Sequence, residues 1–149
     1  MSKSLPLARL GIVGGGQLAR MLAPACNANH VQMTVLDPMH NSPAGQVAFD
    51  QIQGELHDRE ALNRLCQQSD IVTFDLENVG ADILMTLADH GVEMIPAPST
   101  IRLIQNKFDQ KCHYQSNSIP TADFFDLGDD CTFSDLERFG LPCVQKAHT

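Results

Sequence analysis

Short apolar runs alternate with stretches of helical period over the first hundred or so residues. Arg9 to Val13 has strand length and is followed by three glycines, Gly14, Gly15 and Gly16. From Gln17 the spacing turns helical. Leu18, Met21, Leu22 and Ala25 fall on one stripe, which predicts a helix packing that stripe on a sheet. Pro24 lies inside this helix and is expected to kink or shorten it, because proline removes a backbone hydrogen bond. Asn27 to His30 ends the helix, and Val31 to Leu36 is the second strand. Asp37 to Gly45 is a loop by composition, and Phe49 to Gln53 a short third strand. Asp58 can cap a helix running to about Gln68, with Leu62, Leu65 and Cys66 on its buried side. Asp70 to Phe74 is the fourth strand, with Asp75-Leu76-Glu77-Asn78 at its carboxyl end. Ala81 to His90 reads as a helix with apolar Leu84, Met85, Leu87 and Ala88, and Gly91 as its stop. Val92 to Ile95 is the fifth strand. Pro96 and Pro98 break it, and Ser99 is placed to cap a helix through Ile101 and Ile104. Strand and helix alternating about every twenty residues imply an α/β fold, a doubly wound and mostly parallel sheet.

The pattern changes after Gln105. Lys107 to Ser116 is polar and helical, Ile119 to Phe125 an extended arm, Phe133 to Phe139 a short helix and Pro142 to Lys146 a strand. A first domain over 1–100 and a second segment over 101–149 follow.

Composition narrows the function classes. The 149 residues are 43% hydrophobic and 19% charged, which suits a globular chain with an aliphatic core. A formal net charge of −8 argues against nucleic acid or an anionic membrane surface as the main partner. The five cysteines, Cys26, Cys66, Cys112, Cys131 and Cys143, show no C-x-x-C spacing and read as reduced thiols or small core residues, not as a disulfide or zinc framework. The six histidines, His30, His40, His57, His90, His113 and His148, show no metal-ligand spacing. Met1 to Ala8 lacks the apolar core of a signal peptide, and no apolar run reaches the ~18 residues a membrane helix needs. A cytoplasmic protein is expected.

A glycine turn between strand and helix brings backbone N–H groups close to a ligand, and the helix start adds its positive dipole end. Together they favour a phosphate. Gly14 to Ala19 fits G-x-G-x-x-A, and Asp37 ends the second strand where a dinucleotide-binding domain places its ribose-binding acid. An NAD-binding domain of an oxidoreductase is therefore one reading. A non-catalytic nucleotide-binding module is another.

More residues support a third. Gly11-Ile12-Val13-Gly14-Gly15-Gly16-Gln17-Leu18-Ala19-Arg20-Met21, Leu36-Asp37-Pro38, Ser42-Pro43-Ala44 and Gln46-Val47-Ala48 come first. Asp70 to Val79, Pro98-Ser99, Gln105-Asn106-Lys107, Gln110-Lys111, Ile119-Pro120-Thr121-Ala122 and Gly140 to Lys146 follow in the same order. In this set the chain resembles the 5-(carboxyamino)imidazole ribonucleotide synthases of purine biosynthesis, which are ATP-grasp enzymes. Asp75 departs from the pattern, since the family usually has Glu there. The resemblance implies a Rossmann-like pre-ATP-grasp domain followed by the opening of an ATP-grasp domain. It implies that ATP, with Mg²⁺, activates bicarbonate as carboxyphosphate, and that the carboxyl group passes to the amino group of 5-aminoimidazole ribonucleotide. It also implies a homodimer for the complete enzyme.

On the same ground Gly14, Gly15, Gly16, Gln17 and Leu18 are expected to cradle the substrate phosphate. Glu77 and Asn78 are expected to face the ribonucleotide, with Asp37 either touching the ribose or capping the Pro38 turn. Lys107 and Lys146 are expected at the ATP phosphates. No catalytic residue and no metal ligand is expected within the chain. The family's glycine-rich ATP loop and Mg²⁺ ligands come later than Lys146, so the chain is expected to be a fragment without synthase activity of its own.

Overall fold

The computed structural model describes residues 8–128 and 131–147. Residues 1–7 and His148, read above from sequence, lie outside the described residues. The chain forms two compact units, residues 1–102 and 103–149.

In the first unit β1 (Arg9–Val13), β2 (Gln32–Asp37), β3 (Asp50–Gln53), β4 (Ile71–Phe74) and β5 (Glu93–Met94) make one sheet in the order β3-β2-β1-β4-β5. Every neighbouring pair is parallel. The chain lays β2 and β3 outward on one side of β1. It then returns through α2 (Arg59–Gln68) to place β4 on the other side. The strand order therefore reverses between β1 and β4, and open α/β sheets bind ligands at the carboxyl ends of such strands.

Successive β1 residues point to opposite faces. On one face Ile12 packs with Met33 and Val35 of β2 and with Ala19, Ala23 and Cys26 of α1 (Gln17–Ala28). On the other, α2 comes so close that a Cβ on Gly11 would stand 3.1 Å from the Leu65 Cγ. With helices on both faces the sheet is doubly wound, as the alternation of elements predicts.

The face of α1 is a correction. Ala19, Ala23 and Cys26 are buried, whereas Leu18 and Met21 are 65% and 66% exposed and Leu22 and Ala25 are exposed too. The helix is turned by roughly one residue, about 100°, from the stripe that hydropathy selects. Small side chains let it approach the sheet closely, and the glycine turn sets its phase. Pro24 does not end the helix, which runs a further turn to Ala28 with the proline on the exposed side.

Helix α2 buries Ala61, Leu62, Leu65 and Cys66, and the Asp58 side chain caps it by accepting the Glu60 N–H at 2.8 Å. Helix α3 (Ala81–Asp89) ends at Gly91, whose φ of +94° is the left-handed stop expected there. β5 is shorter than expected, covering only Glu93–Met94. Helix α4 (Pro98–Gln105) begins one residue before Ser99, so Ser99 lies in its first turn instead of capping it. The Ala97 carbonyl accepts the first helical N–H bonds, and proline suits a first helical position because it has no N–H to orphan.

In the second unit Asn106 caps α5 (Lys107–Ser116) by accepting the Phe108 and Asp109 N–H groups at 2.9 and 3.1 Å. The 119–125 arm is fastened to α5 by Lys111, which donates to the Thr121 hydroxyl, and by the edge-on contact of Phe108 with Phe124. A capping box of Thr132 and Asp135 starts α6 (Phe133–Phe139). Pro142 to Lys146 forms no strand, and Val144 is 81% exposed. Among the described residues the second unit holds no strand to pair with it, and a lone strand leaves its backbone groups to water.

Arg9 and Asp70 tie the start of β1 to that of β4. The Arg9 Nη2 and backbone N–H donate to the Asp70 carboxylate at 2.6 and 2.8 Å. The Arg9 side chain, and then its backbone N–H, hold the Asp70 carboxyl below the usual carboxylate range. Ionised Asp70 therefore stabilises the fold above that range, and the contribution is lost as pH falls through the depressed folded value. Melting temperature against pH is expected to fall less steeply on the acid side in Asp70→Asn, the two curves meeting where Asp70 is protonated in both states.

Burial pushes the Cys66 thiol up to about 11, while Cys143 is exposed. Iodoacetamide at pH 8 is therefore expected to label Cys143 in the native chain and Cys66 only after denaturation, as read by peptide mass mapping.

Candidate functional site

The glycine turn lies at the carboxyl end of β1, beside the residues that leave β4. The Gly14 N–H donates to the Leu36 carbonyl at 2.8 Å, and its φ is +97°. The Gly15 N–H donates to Asp37 Oδ2 at 2.8 Å, and Asp37 Oδ1 accepts the Met39 N–H at 2.8 Å. Asp37 thus fastens the glycine turn and the Pro38 turn at once.

Gly16 is the N-cap of α1 and has no side chain to cap with. Asp75, at the end of β4, does so from across the sheet. Its Oδ2 accepts the Gly16 N–H and its Oδ1 the Ala19 N–H, both at 2.9 Å. A Cβ on Gly16 would stand 2.5 Å from Asp75 Oδ2, so this close approach requires glycine. The Gln17 and Leu18 N–H groups, the first two of the helix, have no side-chain or loop acceptor among the described residues. The structure therefore separates the five positions expected to cradle a phosphate. The Gly14, Gly15 and Gly16 amides are engaged within the protein, and those of Gln17 and Leu18 point out of the helix start.

The 37–48 loop is pinned behind the turn. The Gly15 carbonyl accepts the Ala44 N–H at 2.9 Å. Ser42 is fully buried, and its Oγ accepts the Gly45 N–H at 3.1 Å and donates to Gln51 Oε1 at 3.3 Å. Arg20 Nη1 donates to the Pro43 carbonyl at 2.9 Å and to Gln46 Oε1 at 2.8 Å. Asp75, Ser42, Gln51 and Arg20 were not among the expected site residues. Ser42 belongs to a loop legible by composition and Gln51 to a strand, but the pairing of the two is not carried by the sequence.

Glu77 and Asn78 leave β4 at the same end of the sheet. Glu77 is half-buried, its carbonyl accepts the Val79 N–H at 2.9 Å, and Asn78 is exposed. In the second unit Lys107 and Lys146 line one cavity of about 790 Å³, together with Lys111, Phe108, Phe124 and Phe125. Lys107 Nζ donates to the Ile104 carbonyl at 2.9 Å. Among the described residues no three His, Cys, Asp or Glu side chains stand together as a metal site, and no helix is long and apolar enough to cross a membrane.

Known proteins agree with this architecture. Residues 7–105 match the ribonucleotide synthetase preATP-grasp domain family. N5-carboxyaminoimidazole ribonucleotide synthase of Bacillus subtilis is 39% identical over 127 residues, covering 83% of this chain and 33% of the relative. The crystal structure of the N5-carboxyaminoimidazole ribonucleotide synthetase of Thermotoga maritima superposes with a TM-score of 0.80 at 39% identity, covering 95% of this chain and 39% of that one. The Aspergillus clavatus N5-carboxyaminoimidazole synthase, solved with ADP and 5-aminoimidazole ribonucleotide, gives 0.78 at 37% identity, covering 90% of this chain and 35% of that one. The chain spans about a third of the length of these relatives. With a matching family over most of its length and a parallel sheet whose strand order reverses at the glycine turn, the chain belongs to the ribonucleotide synthetase preATP-grasp domain family.

Proposed function

We propose that this chain is the ribonucleotide-recognising part of an ATP-dependent ligase that carboxylates the amino group of 5-aminoimidazole ribonucleotide. The observation that carries this is the pair of outward N–H groups at Gln17 and Leu18. They open a helix of 12 residues at the switch point of the sheet, with Glu77 on the adjacent strand end. Two N–H donors at a helix start suit a monophosphate. Glu77 and Asn78 then lie on the side of the crevice where the ribose and base would extend, and Asp37 supports the turn from below.

ATP supplies the free energy that makes bicarbonate an acyl donor. Within this chain Lys107 and Lys146 are the cations that would meet its phosphates, and the Phe108 and Phe124 rings give the same cavity an apolar wall. Mg²⁺ belongs to the nucleotide in this reading, and no step is assigned to it here. Bicarbonate as co-substrate, a homodimeric complete enzyme and a cytoplasmic setting belong to the same proposal.

The oxidoreductase reading fares worse. A dinucleotide fingerprint uses its turn amides for a pyrophosphate and its strand-end acid for a ribose. Here the Gly15 and Gly16 amides donate to carboxylates, and both Asp37 oxygens accept backbone N–H groups.

Melting curves of the chain with 5-aminoimidazole ribonucleotide, ATP and NADH in parallel test the proposal. A ligand at ~100 times its Kd adds about 2.7 kcal/mol. A rise with the ribonucleotide and none with NADH is expected, and a rise with NADH alone would remove the reading. Glu77→Ala is expected to weaken ribonucleotide binding by roughly ten- to a hundredfold, the loss of a charged hydrogen bond worth roughly 1.5–3 kcal/mol, while ATP binding changes less. Isothermal calorimetry reads both. Equal losses would take Glu77 out of the ribonucleotide site.

A further inference from the structure

We propose that Asp75 is a positioning residue that makes the glycine turn selective for a single phosphate group, by capping the Gly16 and Ala19 amides and leaving only those of Gln17 and Leu18 to bind an anion. The proposal deepens the ribonucleotide reading and rests on it for the identity of the natural ligand.

The geometry is that of a capping box assembled in trans. In the ordinary box the N-cap side chain accepts the N–H of the third helical residue, and the side chain of that residue accepts the N-cap N–H. Here the N-cap is Gly16 and the third residue is Ala19, so neither can contribute. One carboxylate, 59 residues from Gly16 along the chain, makes both bonds with its two oxygens. Asp75 is itself held by its backbone N–H, which donates to the Val13 carbonyl at 2.9 Å. The cap therefore links the ends of the two strands flanking the switch point.

This has a consequence for anion recognition. A pyrophosphate draws on several successive turn amides, whereas a monophosphate needs fewer. With Gly15 bonded to Asp37, and Gly16 and Ala19 to Asp75, the free donors are adjacent and suffice for one phosphate. The two carboxylates also repel a second phosphate that would have to pass over them. Close packing fixes the arrangement, since the Asp75 Cβ is 3.0 Å from a Cβ placed on Gly14.

The test uses the unmodified chain, Asp75→Ala and Asp75→Glu, with backbone amides assigned by NMR. In the ligand-free chain, hydrogen exchange at Gly16 and Ala19 is expected to be at least tenfold slower than at Gln17 and Leu18. In Asp75→Ala that protection disappears. Titration with inorganic phosphate and with pyrophosphate then reads selectivity. The ratio of pyrophosphate to phosphate affinity is expected to rise about tenfold in Asp75→Ala and to stay within about twofold of the unmodified chain in Asp75→Glu, which keeps both acceptor oxygens. Should Asp75→Ala fail to fold, Asp75→Glu decides: protection and selectivity retained support the proposal, and their loss overturns it. Equal exchange at all four amides in the unmodified chain, or an unchanged ratio in a folded Asp75→Ala, overturns it as well. If protection and selectivity behave as expected and 5-aminoimidazole ribonucleotide fails to bind, the functional reading falls and the role of Asp75 stands.

Discussion

Leu65→Ala is expected to destabilise the chain by about 2–5 kcal/mol, the range for truncating a fully buried leucine. Leu65 has no exposed surface and packs against Gly11 in the central strand. Nothing larger than a hydrogen at position 11 can move into the space left, so the cavity persists. A shift of the urea midpoint at unchanged slope would register the loss, and the melting temperature should drop on the order of 10 °C. Leu18→Ala is the matched control. Leu18 is 65% exposed, and its truncation is expected to stay within about 0.5 kcal/mol. Hydropathy spacing alone ranks the two leucines alike. Similar losses from both would mean that α1 faces the sheet with the stripe its spacing suggests.

The second large effect is expected at Gly15. A methyl group there would run into the Ser42 hydroxyl and stand 3.0 Å from the Asp37 Cβ. Ser42 is fully buried and hydrogen-bonded to Gly45 and Gln51, so it cannot swing aside. Gly15→Ala is expected to cost roughly 1–3 kcal/mol as an overpacked site. It should also lower ribonucleotide affinity by about tenfold or more, because the turn must shift and the loss of one charge-assisted hydrogen bond from the Gln17 and Leu18 amides costs roughly 1.5–3 kcal/mol. Gly91→Ala separates the two consequences. Nothing lies within 4 Å of a Cβ at Gly91, yet its φ is +94°, so alanine there is strained without being crowded. It should lose about 1 kcal/mol and no affinity. Denaturant melts and calorimetry on both variants check this. An affinity loss of equal size at Gly91 would point to general destabilisation.

Much of the molecule follows from local chemistry. The α/β alternation, the Asp58 cap with its Leu62, Leu65 and Cys66 stripe, the Gly91 stop and the Lys107–Ser116 and Phe133–Phe139 helices depend on residues within a turn or two of one another. Such signals are carried by the sequence itself. The glycine turn is legible for the same reason: a strand, three glycines and a helix are contiguous.

The tertiary structure decided the rest. α1 carries two stripes, one of larger apolar residues and one of Ala19, Ala23 and Cys26. Which one meets the sheet depends on how closely helix and strand must approach, a quantity that spacing does not contain. The Pro142 to Lys146 segment has strand composition, but pairing needs a neighbour, and the described residues of its unit offer none. The division of the turn amides is likewise non-local. The carboxylates that take them stand 22 and 59 residues from the glycines they bind, and only the order β3-β2-β1-β4-β5 brings both beside β1. Sequence alone marked Gly14 to Leu18 as a place for an anion. The neighbouring strands decided which of these amides stay unengaged, because Leu36, Asp37 and Asp75 take the glycine N–H groups and leave those of Gln17 and Leu18.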